Sequence, residues 1–81
     1  MYKLADVVNN SGERCNDMLH IIGKEFDAEK LEVGKQGMLN NISDSHIYRR
    51  VVRTPVVKSV IKSIKELKIF TGSETYVLEK V

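Results

Sequence analysis

The sequence predicts an all-β domain, a small antiparallel barrel of five to seven short strands, and three observations carry that expectation. Residues 56–64 hold five β-branched aliphatics, Val56, Val57, Val60, Ile61 and Ile64, with no Ala or Leu. Such side chains favour a pleated surface. Short apolar runs recur between clusters of turn residues, among them Asn9-Asn10-Ser11-Gly12 and Gly72-Ser73, as in a chain of short strands. Gly34 and Gly37 bracket a short run in the way that a tight turn followed by a bulge requires.

With 81 residues, the chain makes one domain, residues 1–81, whose core is thin because a chain this short buries only about 60% of its unfolded surface. The aromatics are Tyr2, Phe26, Tyr48, Phe70 and Tyr76. Each is expected to fill a large share of that core, since one aromatic buries about 150–250 Å². Assembly into a homo-oligomer is the natural remedy for so small a core.

Taken in order, residues 2–8 form a short β-prone segment that ends in the Asn9–Gly12 turn. Residues 18–22 are a compact apolar run closed by Gly23 and read as a second strand. Asp27-Ala28-Glu29-Lys30 suits one helical turn capped by the Asp27 carboxylate. Met38 and Leu39 follow the glycine corner as a strand. Residues 40–45 read as a polar loop, and residues 47–54, rich in Val, Ile and Tyr, as a strand.

Pro55 admits two readings. With Thr54 as N-cap and Pro55 at the first helical position, Val57, Val60, Ile61, Ile64 and Leu67 form one apolar stripe opposite Lys58, Lys62 and Lys65. Periodicity alone favours that helix. Composition favours a strand, in which Val56, Val60 and Ile64 share a face with Lys58 and Lys62. In that reading residues 63–66 turn into a strand at 67–71, and Gly72-Ser73 bends the chain before a last strand at 75–79.

The spacing of Val33-Gly34…Gly37-Met38-Leu39, Val51-Val52-Arg53-Thr54-Pro55-Val56-Val57 and Leu67-Lys68-Ile69-Phe70-Thr71…Thr75-Tyr76-Val77-Leu78 resembles a set of short β-rich proteins of phages and mobile elements of Gram-positive bacteria. The resemblance covers about residues 31–80. It implies an SH3-like or partly open small barrel, favours the strand reading at Pro55, and implies a mobile-element setting that includes accessory and anti-defence factors. Pro55 follows Thr54 directly where the pattern has a small residue between them, so the register of that corner departs from it.

Charge is polarised along the chain. Residues 49–68 carry seven basic side chains and one acid, Glu66, whereas the remaining residues hold more acids than bases. A concentrated positive face attracts phosphates or acidic protein surfaces by the same Coulomb term. In a strand Arg49, Val51 and Arg53 point one way and Tyr48, Arg50 and Val52 the other. If residues 47–54 and 56–64 pair as a hairpin, several of the charges of Arg49, Arg50, Arg53, Lys58 and Lys62 line up along one surface, with Tyr48 as a stacking plate beside Arg50. That combination of cations and aromatic plates is how small barrels hold single-stranded nucleic acid. Lysines on an edge strand also prevent aggregation, which is the plainer explanation of the same residues. The expected function is a non-catalytic binding module for a polyanionic partner, nucleic acid foremost. A protein-directed inhibitor or assembly factor, and sequestration of a phosphate-bearing nucleotide, are the alternatives.

Catalytic and metal chemistry find little support. Ser43-Asp44-Ser45-His46 are consecutive in a loop, and a nucleophilic triad needs side chains converging from separate elements. Cys15, Asp17 and His20 fall short of a four-ligand zinc set, although His20 on one helical turn with Cys15 could serve as its base. Gly34-Lys35-Gln36-Gly37 lacks the length and the Lys-Ser or Lys-Thr ending of a phosphate loop. No enzyme activity and no cofactor are expected. The lone cysteine fits a reducing, cytoplasmic setting. The absence of a long apolar run argues against a membrane span, and Asp6 soon after the start argues against a signal peptide.

Overall fold

A computed structural model of the chain describes residues 1–28, 31–42 and 51–81. Six strands, β1 (Tyr2–Asn9), β2 (Glu25–Asp27), β3 (Gln36–Asn41), β4 (Val51–Lys62), β5 (Glu66–Thr71) and β6 (Glu74–Lys80), close in chain order into one antiparallel barrel. Closure is made by β1 against β6, from Tyr2 opposite Lys80 to Asn9 opposite Glu74. The expected all-β barrel is what the chain forms, closed rather than partly open.

Alternation places Leu4, Val7, Leu39, Val57, Leu67, Ile69, Tyr76 and Leu78 inside, where they form one core with Phe26 and Tyr2. Tyr2, Phe26 and Tyr76 fill it as expected. Phe70 does not. It pairs with Ser59 and Thr75, on the opposite face of β5 from Ile69, and is half-buried outside the barrel. Tyr48 lies outside the described residues.

Residues 18–22 are not a strand. A 3-10 turn at Asn16–Met18 continues through further turns to Gly23, held by Met18 N–H to Cys15 O (3.1 Å) and Ile21 N–H to Met18 O (3.1 Å). The chain before and after this excursion runs beside β1: Cys15 N–H reaches Val7 O and Gly23 N–H reaches Leu4 O, both at 2.8 Å. Ala5 has no partner on β6, because Leu4 faces Leu78 and Asp6 already faces Val77. The excursion spans that bulge, and Ile21 turns into the core while Met18 and Ile22 pack against it. Its apolar side chains thus serve as a plug instead of a ladder.

The helical turn expected from Asp27 is also absent at its start, since Phe26 and Asp27 pair with Asn41 and Asn40 in the β2–β3 ladder; Glu29 and Lys30 lie outside the described residues. Those same pairs put Asn40 and Asn41 in β3, not in a loop. The expected loop from Ser43 and the expected strand at residues 47–50 fall outside the described residues.

β4 settles Pro55 as strand. Gly37 on β3 faces both Thr54 and Pro55, since Gln36 pairs with Val56 and Met38 with Arg53. A second bulge leaves Lys58 unpaired between Val57 opposite Thr71 and Ser59 opposite Phe70. Proline fits here because the bulge, and the half of β4 that has no second neighbour among the described residues, ask for no ladder N–H. The inward residues of β4 therefore run Val52, Thr54, Val57, Val60 and Lys62, with steps of three across the two bulges. Two inserted residues have given a strand the spacing of a helix.

Candidate functional site

β4 is continuous from Val51 to Lys62, so residues 47–54 and 56–64 cannot pair as the hairpin that would align their cations. Arg53, Lys58 and Lys62 instead follow one another along a single strand, Arg53 and Lys62 separated by at most about 30 Å at a strand's rise per residue. Arg53 points outward beside Met38. Lys58 projects from the second bulge. Lys62 pairs with buried Leu67 and so lies on the inner side, at the barrel's end. The expected common face is thus a strand-long track whose last member turns into the mouth. Tyr48, Arg49 and Arg50 lie outside the described residues.

Local ion pairs sort the cations. Arg14 holds Asp6 at 2.9 Å, Lys35 holds Glu32 at 3.0 Å and Lys68 holds Glu66 at 3.4 Å. Among the described residues, Arg53, Lys58 and Lys62 are exposed and make no such pair. Their charge is therefore open to a partner. Around them the outer face carries Met38, Val51, Val56 and Ile61, all exposed. Among the described residues, 51–56 pair with β3 alone, because the β5 ladder starts at Val57.

The end of the barrel reached by Lys62 contains a cleft of about 290 Å³ lined by Tyr2, Asp27, Ala28, Leu31, Val60, Lys62 and Leu67, with Met1 at its edge. Tyr2 faces Lys80 across the β1–β6 ladder. Lys80 N–H in turn donates to Lys65 O at 2.8 Å, one step beyond the Glu66–Glu79 pair. Lys62, Lys65 and Lys80 therefore meet at this end. Lys65 and Lys80 were not among the expected site residues. They join only through ladder register between distant parts of the chain, which local spacing does not reveal.

The opposite end is acidic. Burial, then the Glu74 carboxylate, and then Asp17 and Asp6 push Cys15 above its ordinary value of 9.0. That favours the thiol over the nucleophilic thiolate. Burial, then Glu74, push the Tyr76 phenol up as well, and its hydroxyl donates to Glu74 Oε1 at 3.1 Å. His20 is exposed and is not among the groups acting on Cys15. Among the described residues no three His, Cys, Asp or Glu side chains gather to hold a metal; Ser43, Asp44, Ser45 and His46 lie outside them. No described helix is long and apolar enough to cross a membrane.

No family model matches the chain, no curated protein is similar to it, and no solved structure matches it.

Proposed function

We propose that this barrel is a non-catalytic binding module for a polyanion, with single-stranded nucleic acid the leading partner. The reading is carried by the three exposed cations of β4, which have no carboxylate partner among the described residues while Arg14, Lys35 and Lys68 each have one. A flexible phosphate backbone can follow such a track, whereas a compact anion would engage only one of its charges. The resemblance to small barrels of phages and mobile elements adds a setting to the proposal, and a reducing, cytoplasmic compartment goes with it.

The test is a titration of single-stranded DNA and RNA at several salt concentrations. Three phosphate contacts give a slope of about −2 in log K against log salt, at about −0.7 per contact on single strands. Binding that ignores salt, or none at low salt, would sink the reading.

A second reading has its own observation. The edge of residues 51–56 that does not face β3 has no strand partner among the described residues, and Val51 and Val56 stand exposed beside it. An extended segment of an acidic protein could add there as a further strand, with the cations setting orientation and rate. Protection of backbone amides at 51–56 on adding the partner, with no effect of nucleic acid, would favour this reading over the first.

A further inference from the structure

The end of the barrel at Lys62 combines two features that the strand-long track lacks, a half-open cleft and an aromatic ring. The cleft of about 290 Å³ is near the lower bound of small-ligand sites, about 300 Å³, and is too small for a length of polymer. Leu67, Ala28, Leu31, Val60 and the Tyr2 ring give the lining an apolar part, which lies beside a larger polar one. Lys62 stands in the wall, and Lys80 sits opposite Tyr2 on the same face of the ladder. Lys65 adjoins Lys80 at the rim. Among the described residues Lys62 and Asp27 are the charged side chains of the lining, and Lys80, opposite Tyr2, stands next to it.

We infer that this end binds a nucleoside phosphate, the base against Tyr2 and the aliphatic lining and the phosphate between Lys62 and Lys80. A bare anion would leave the aliphatic side chains and the ring unused, and a neutral apolar ligand would leave Lys62 and the polar part of the lining unused. A flat ring joined to a phosphate uses both. The ligand has two sources with this one chemistry, a free nucleotide or the phosphorylated end of a strand. The inference rests on the polyanion reading in that β4 is taken to grip phosphate, and it shares only Lys62 with that track.

Equilibrium titration with the four ribonucleoside monophosphates, with inorganic phosphate, and with a short single strand bearing either a 5′-phosphate or a 5′-hydroxyl tests it. Lys80→Gln and Arg53→Gln are the variants, both at exposed positions. The expected result is monophosphate binding that weakens about tenfold in Lys80→Gln, the loss of one charged hydrogen bond, and is unchanged in Arg53→Gln. Preference for the 5′-phosphorylated strand, lost in Lys80→Gln, supports the inference with a strand end as the source. Inorganic phosphate binding as tightly as the monophosphates would overturn it, because the ring would then contribute nothing. Strand binding indifferent to the end phosphate, with no monophosphate bound, would overturn it too and leave the β4 track standing. If Arg53→Gln has no effect on strand binding while monophosphate is held, the track fails and the cleft remains. Binding to vesicles of anionic lipid but to no nucleotide would overturn both.

Discussion

Thr54 Oγ1 accepts the Gly37 N–H at 2.9 Å, so the bulge that admits Pro55 is closed by a side chain instead of a ladder carbonyl. The same hydroxyl donates to Pro55 O at 2.8 Å, which satisfies it fully in a buried position. The approach is close enough to exclude any side chain at 37. A Cβ there would lie 2.8 Å from Thr54 Oγ1, 3.1 Å from Leu31 Cδ2 and 3.3 Å from Val57 Cγ2.

Gly37→Ala is therefore expected to destabilise the domain by about 1–3 kcal/mol, the usual cost of overpacking a filled site. Thr54→Val leaves a buried N–H unsatisfied and is expected to cost about 1–3 kcal/mol, while Thr54→Ser keeps the oxygen and most of the stability. Urea denaturation of the three variants checks this. Equal stability of Thr54→Val and the parent would show that the hydroxyl does not close the bulge.

This corner also explains how far the fold could be read in the residues. The glycine corner, the turn at Gly72-Ser73 and the strands after it follow from local chemistry, and they are where the chain places them. β4 was ambiguous for a physical reason: the bulges at Thr54-Pro55 and Lys58 put Val57 and Val60 three apart on the inner side, and that spacing is the signature of a helix. Residues 18–22 misled in the opposite sense, because a plug and a strand are equally apolar and only pairing tells them apart. Phe70 shows that an aromatic in an alternating strand takes whichever face register assigns. The site was legible in part. Arg53, Lys58 and Lys62 stood out by charge, whereas Lys80 comes opposite Tyr2, and the Lys65 backbone beside Lys80, only once β1, β5 and β6 are in register.

Cys15 is expected to be a slow thiol. Burial and the Glu74 carboxylate hold it protonated, and alkylation proceeds through the thiolate. At pH 8 its reaction with iodoacetamide should be several-fold slower than that of a thiol in an unstructured peptide. Glu74→Gln should speed it by removing the nearest of the charges that oppose ionisation. A rate in the parent equal to or above the peptide's would contradict the assigned environment and revive a nucleophilic role.

Tyr76 links stability to alkaline pH with a definite sign. Its phenol is raised above the ordinary value of 10.0 by burial and by Glu74, so the folded chain keeps a proton that the unfolded chain has lost. Folded protein then binds more protons than unfolded, and stability falls as pH rises above about 10. Cys15 acts in the same direction from about pH 9 upward. Tyr76→Phe removes the titrating group, loses the hydrogen bond to Glu74, and should flatten the decline above pH 10. The check is the difference between parent and variant in urea midpoints from pH 8 to 11.5, which cancels the other tyrosines and the lysines. Parallel curves would mean that the Tyr76 proton is not held by the fold.

The strand-long track makes the most direct prediction about binding. Arg53→Gln and Lys58→Gln remove exposed charges that anchor no described ion pair, so the thermal midpoint should move by no more than a degree or two. Each should lower the slope of log K against log salt for single-stranded nucleic acid by about 0.7, because each contact contributes that much. The two effects should add, since the residues are five positions apart along the strand and share no partner. As a control, Lys35→Gln removes a charge that Glu32 already engages at 3.0 Å and should leave the slope unchanged. An equal slope change in all three variants would mean that net charge alone draws the polyanion, and that β4 has no particular part in holding it.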